Sequence, residues 1–211
     1  MQPIRRTLLA LACSAAFAAP AFAQNTIKIA GLYELSGAGA TSGTMFKNGV
    51  EMAVKEINEA GGILGKKIEH SISDTQSNPG VAKGLATKAI DDNVFAVFGP
   101  VFSGSILVSM AETRRAEVPN FTGGEAAAIT KQGNPYIFRT SFTQDTAMPK
   151  VARYVAGHLK AKTLALIYVN NDFGKGGRES LTKALEPVGV KVVADISTDQ
   201  SQVDFSAAVL K

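Results

Sequence analysis

Cysteine and tryptophan are nearly missing from this chain, which has one cysteine, Cys13, and no tryptophan in 211 residues. Cys13 lies within the opening MQPIRRTLLALACSAAFAAPAFAQ, where Arg5 and Arg6 precede an apolar run from Leu8 that ends in Ala21-Phe22-Ala23. A charged start, a short apolar stretch and an A-x-A-like site predict a cleavable secretory signal over residues 1–23. The run is too short and too alanine-rich to span a bilayer. Cleavage after Ala23 leaves no cysteine, which excludes disulfides, thiolate nucleophiles and cysteine metal sites. Lipid anchoring at Cys13 is the alternative, with a shorter apolar stretch ahead of it than such anchors use. An exported chain meets no standing pool of nucleotides, so no cofactor is expected.

Charge and histidine are scarce too. The formal charge is +4, and losing Arg5 and Arg6 with the signal takes it to +2. That is too weak for a nucleic-acid footprint, and lysines alternate with acids, as in Glu51, Lys55, Glu56, Glu59 and Lys66, like solvated helix faces. His70 and His158 are the only histidines, and neither has neighbours spaced for a metal site. Ser103 lacks a G-x-S-x-G frame and a histidine placed to activate it, so hydrolysis has little support.

What the chain does contain is regular alternation. Thr26–Tyr33 reads as a strand; Gly31–Gly43 supplies a turn-rich loop; Phe46, Val50, Ala53, Val54 and Ile57 then recur as one helix face. Strands follow at Lys66–Ser73, Val94–Phe98, near Val118–Thr122 and around Tyr136–Thr140, with helices from Pro79 to about Asp92 and from Ser103 to Arg115 between them. After a turn-rich passage from Phe138 to Asp145 come a helix Asp145–Lys160, a strand Thr163–Val169, a helix Gly176–Pro187 and a strand Val190–Ile196. Such alternation predicts an α/β fold with parallel sheets flanked by helices. Asp204 caps a last helix, Phe205–Leu210, and the chain stops at Lys211 before that helix reaches ordinary length, which predicts an incomplete second lobe.

Three places could carry chemistry. Gly37-x-Gly39-x-x-x-Gly43 imitates a dinucleotide loop, but its spacing is off by one residue, and a cleft loop at the carboxyl edge of a sheet is the better reading. Ser103 opens a helix after a buried strand, with Ser105 just behind it. Free amide N–H groups and hydroxyls there suit a carboxylate, although a plain N-cap serine fits equally. Thr122-Gly123-Gly124-Glu125-Ala126 follows the fourth strand, where glycines admit close approach and Glu125 either holds a cationic amine or is an exposed helix-start acid.

The segments IAGLYELSG, FKNGVEMAVKEINEAGGILGKKIE, GPVFSGS, NPYIFRTSFT and ALIYVNNDFGKGG resemble the periplasmic leucine/isoleucine/valine-type solute-binding proteins of ABC importers, over essentially all of Ile27 to Lys211. The resemblance implies a two-lobed Venus-flytrap fold: signal 1–23, an N-terminal lobe 24–141 and a partial C-terminal lobe 142–211. It implies ligand contacts from Ser103, Ser105 and the Thr122–Ala126 loop in the first lobe and from Phe173 in the second. Where relatives present an aromatic in the first loop this chain has Ser42, and their small-residue and threonine pattern in the second loop becomes Gly-Gly-Glu. Family members run to nearly twice this length, and the remainder carries an acidic amine-binding residue. The implied function is capture of a small amino acid, organic acid or amide by a periplasmic, monomeric, non-enzymatic protein that delivers it to ABC permease subunits. A sensor domain of the same fold is the alternative, followed by an exported α/β hydrolase or oxidoreductase.

Overall fold

A computed structural model describes residues 26–210; the signal segment and Cys13 lie outside the described residues. Five strands, β1 (Thr26–Tyr33), β2 (Lys67–Asp74), β3 (Ala96–Phe98), β4 (Asn120–Thr122) and β5 (Ile137–Arg139), form a parallel sheet in the order β2-β1-β3-β4-β5. A second parallel pair joins β6 (Thr163–Val169) to β7 (Lys191–Thr198). The helices are α1 (Ala40–Glu59), α2 (Pro79–Asp91), α3 (Ser103–Arg115), α4 (Ala128–Lys131), α5 (Gln144–Arg153), α6 (Asp172–Leu185) and α7 (Ser206–Val209). Each β–α passage brings the chain back to start the next strand in the same direction, which is why β1 to β5, and β6 with β7, pair in parallel.

Local chemistry sets the boundaries. Asn78 Oδ1 accepts from the N–H groups of Gly80 (2.8 Å) and Val81 (3.2 Å), and Pro79 opens α2 where no donor is needed. Asn171 Oδ1 accepts from Gly174 N–H at 2.9 Å, so α6 starts a turn earlier than the expected Gly176. β3 and β4 are shorter than expected because Val94 N–H and Val118 N–H still close the preceding helices, on Ala89 O and Thr113 O. The helix expected to run from Asp145 to Lys160 stops at Arg153 and widens into a π turn over Tyr154–His158. Pro149 inside α5 has no N–H to donate, and the ladder beyond it is re-spaced. The last helix begins at Ser206, with Asp204 Oδ1 accepting its N–H at 2.9 Å, so Phe205 and not Asp204 holds the cap position.

The expected glycine loop is a larger departure. Gly37–Gly39 is a 3-10 turn and α1 begins at Ala40, so most of the segment is helical. Gly39 and Gly43 stand one turn apart on the face that meets Glu34: a Cβ at Gly43 would lie 2.0 Å from Glu34 O, and one at Gly39 2.8 Å from Glu34 Cβ. These glycines give close packing, not mobility.

Three apolar clusters hold the molecule together. Ala30, Leu32 and Val97 pack on Ala86 and Ala89 of α2; Ile106 and Met110 of α3 pack on Ile129 and Ile137; Ala152, Val155, Leu185 and Val190 form the core of the second unit. On the other sheet face Phe98, Phe121 and Phe138 stack with ring centroids 5.1 Å apart at each step. Beside this ladder the expected apolar stripe of α1, with Phe46, Val50, Val54 and Ile57, lines a groove of about 820 Å³. Its residues are half-buried rather than core, and Phe138 remains 45% exposed.

Candidate functional site

The carboxyl ends of β1, β3 and β4 meet at one edge of the first sheet, where open parallel sheets bind ligands. After β1 the chain places Glu34, fully buried, with Oε2 accepting Val101 N–H at 3.0 Å and Oε1 accepting Phe102 N–H at 3.1 Å. Burial raises the pKa of this carboxyl, and the two backbone donors pull against that rise. Between β3 and α3 the turn needs Gly99, whose φ is +92° and whose Cβ would lie 2.1 Å from Leu32 O.

Ser103 is the first residue of α3 and buried, yet it does not cap its own helix, since Phe102 holds that position. Its Oγ accepts instead from Ala126 N–H at 3.3 Å and so ties the second loop to α3. Thr122 Oγ1 donates to Pro100 O at 2.7 Å, and Asn120 Nδ2 donates to Gly99 O at 2.6 Å. Gly124 is enclosed, with a Cβ placed 2.2 Å from Ile106 Cδ1. Arg139, on β5, donates to Gly124 O, to Ala126 O at 2.9 Å and to Thr130 Oγ1 at 3.1 Å, clamping the loop from outside. Desolvation lowers the pKa of that guanidinium, against the pull of Glu125 and Asp145.

A cavity of about 440 Å³ lies between this edge and the second unit. Of the residues singled out from sequence, Ser42, Ser103, Ser105, Gly123, Glu125 and Phe173 line it. Thr122, Gly124 and Ala126 do not: they build the loop that carries Gly123 and Glu125. Ser42 sits in the first turn of α1, not in a loop. Ser105 is fully buried and its Oγ has no hydrogen-bond partner among the described residues. Glu125 is partly buried, which raises its pKa, while Arg139 acts to lower it. Phe173 is 43% exposed on the opposite wall, so it is not a core residue.

Sequence reasoning missed Glu34, Arg139, Asp172 and Gln144. Glu34 had a signal, a charged residue directly after a fully apolar strand end. Gln144 had none, because its role depends on two distant partners. This buried residue donates its backbone N–H to Glu125 O at 3.0 Å and its side-chain Nε2 to Phe173 O at 2.7 Å, linking both walls. The histidines are engaged elsewhere: His70 Nε2 is 3.0 Å from Tyr33 Oη, and His158 stacks on Tyr154. A larger hollow of about 900 Å³, between α3–α4 and α5–α6, is lined by apolar residues such as Leu107, Pro149 and Val188 together with solvated charges such as Lys131, Asp145, Lys175 and Lys183. The smaller cavity is the candidate, because it combines strand ends, helix starts and an unpartnered buried hydroxyl.

A family model described as periplasmic binding protein matches residues 26–211. The leucine-, isoleucine-, valine-, threonine- and alanine-binding protein of Pseudomonas aeruginosa is 32% identical over the whole chain, which covers 56% of that protein. A substrate-binding protein from Streptococcus pneumoniae, solved with isoleucine, is 33% identical with a TM-score of 0.80, over 88% of this chain and 53% of its own. A Rhodopseudomonas palustris solute-binding protein solved with benzoate shares the fold at 23% identity and TM-score 0.80, over 88% of this chain and 51% of its own. The chain spans about half the length of the curated relatives it matches. The parallel two-unit architecture and the matched span together show that this chain belongs to the periplasmic binding protein family.

Proposed function

We propose that the protein is the extracytoplasmic solute-binding component of an ABC importer, capturing a small amino acid or related organic acid or amide between its lobes. The observation that carries this reading is one cavity walled by both units at strand ends and helix starts, with Ser105 offering an unsatisfied hydroxyl. Binding rather than bond-making is the work such a site supports: the Ser103 hydroxyl already holds Ala126 N–H, and both histidines face other partners. A solute that touches Ser105 and Glu125 on one wall and Asn171 and Phe173 on the other would favour the closed arrangement. The permease would then read that shape, provided the solute binds the closed form more tightly than the open one. The signal over residues 1–23 supports export, and N-terminal sequencing of the mature protein should find Gln24 first.

Thermal-shift titration of the full-length protein against aliphatic amino acids, aromatic acids and small amides tests the reading. A true solute at a hundredfold excess over its Kd should stabilise the protein by about 2.7 kcal/mol. If no compound of these classes raises the melting temperature, the proposal fails.

A further inference from the structure

The first two β–α loops at the carboxyl edge of the sheet are strapped together from inside. Asp74, the last residue of β2, accepts at Oδ1 from the N–H groups of Leu35 (2.8 Å), Ser36 (3.2 Å) and Gln76 (2.8 Å), and at Oδ2 from Ser36 Oγ at 2.6 Å. Ser77 fastens the same two loops from the other side, its Oγ accepting from Gly39 N–H at 2.9 Å and donating to Ser36 O at 2.7 Å.

The strap holds a backbone shape that its residues do not favour. Asn78 N–H donates to Thr75 O at 2.9 Å, closing a turn whose central residues, Gln76 and Ser77, have φ of +56° and +54°. Two positive φ values in succession are the pattern of a type I′ turn, which asparagine and glycine adopt readily and glutamine and serine only at a cost. Across from it Gly37 has φ +74°, and a Cβ there would lie 3.0 Å from Ser77 Oγ, so the partner loop carries the residue this close approach needs. Strain of this kind persists only where surrounding contacts over-determine it, and Asp74 supplies those contacts.

The consequence lies at the cleft. Ala38 and Ser77 line the 440 Å³ cavity, whereas Asp74 does not. The Ser77 hydroxyl already uses its one proton on Ser36 O, so what the turn contributes to that wall is a fixed surface. We propose that Asp74 is a positioning residue for solute binding: without touching the solute, it holds the Thr75–Asn78 turn and the Ser36–Gly39 segment as one preformed rim, so that binding does not have to order them. The proposal rests on the solute-binding reading above.

Two measurements on the full-length protein test it. In the unliganded wild type the amides of Gly39, Gln76 and Asn78 should exchange hydrogen more slowly than those of the exposed turn at Leu64 and Gly65, and Asp74→Ala should speed their exchange by about tenfold. Calorimetry with leucine, alanine, benzoate and acetamide as probes then gives affinity. For any probe that the wild type binds, Asp74→Ala should bind about tenfold more weakly, with its unliganded melting temperature reporting that it folds. Asp74→Asn, which keeps an oxygen for the three amides, should stay within about threefold of the wild type. Adding Gln76→Gly to Asp74→Ala should recover part of the lost affinity, because glycine takes a positive φ without a clamp. A folded Asp74→Ala with unchanged affinity overturns the proposal and leaves the solute-binding reading standing. So does exchange of the three amides as fast as at Leu64 and Gly65 in the wild type, a result that decides the matter even where Asp74→Ala does not fold. If no probe binds the wild type, the solute-binding reading falls and this proposal falls with it.

Discussion

Glu34 and Gly43 show how single residues shape the cleft. Each oxygen of Glu34 holds one backbone donor, and Gly43 lets α1 settle on the main chain beside it. Glu34→Ala should cost about 2–4 kcal/mol in urea unfolding, because two N–H groups in a buried turn lose charged acceptors. The pH dependence has a defined sign. Because burial raises the native pKa of Glu34, the folded protein binds its proton more tightly than the unfolded chain does. This group therefore favours folding most at low pH and loses that contribution as pH rises from about 4 through its elevated native value. The difference between wild-type and Glu34→Gln stability, measured against pH, should show that slope. A flat difference would contradict it. Gly43→Ala should lower stability by about 1–3 kcal/mol through overpacking. On the same helix Gly49→Ala, where an added Cβ meets nothing within 4 Å, should raise it by about 0.5–1 kcal/mol. Equal effects at the two glycines would contradict the packing argument.

At the scale of elements, the first turn of α6 supplies Asp172 and Phe173 to the second wall, and its start is set by Asn171. Asn171→Ala should cost about 1 kcal/mol by loss of the cap and also weaken solute binding, since Phe173 rides on the first turn. Calorimetry of the variant would separate the two effects, and unchanged affinity would show both that the first turn keeps its place without the cap and that the solute does not use Asn171. The elements also show what was legible in sequence. Helices with a proline at the first position, or a serine opening them directly after a buried strand, were readable, as with α2 and α3. Strand β6 matched its apolar run because nothing local competes with TLALIYV. What escaped was set by partners distant in sequence: the helical Gly39–Gly43 segment depends on Glu34, and the ends of β3 and β4 depend on where the preceding helices release the chain. Among candidate site residues, those at the edge of a strand or the first turn of a helix were legible by position. Gln144 and Arg139 were not, because their function is a set of hydrogen bonds donated to backbone carbonyls that no spacing encodes.

At the scale of the whole molecule, two links between the lobes have unlike character. Gln144 joins the Glu125 loop to α6 through buried hydrogen bonds, whereas Lys131 and Asp145 join α4 to α5 as a solvated ion pair, with Ser180 Oγ donating to Asp145 Oδ1 at 3.0 Å. The hydrogen bond to Lys131 is the leading cause that holds the Asp145 carboxyl below its usual range. High salt should weaken the second link and spare the first. Full-length protein in solution scattering should accordingly contract when a bound solute is added, and keep that contraction in high salt; an unchanged radius on saturation would argue against closure.

The partly exposed Phe173 on the second wall has a practical use that follows from the composition. With no tryptophan in these 211 residues, Phe173→Trp would place the sole indole of this chain at the mouth of the candidate cleft. Its emission would report the polarity of that mouth, turning occupancy of the cleft into an optical signal for ligand and lobe movement alike.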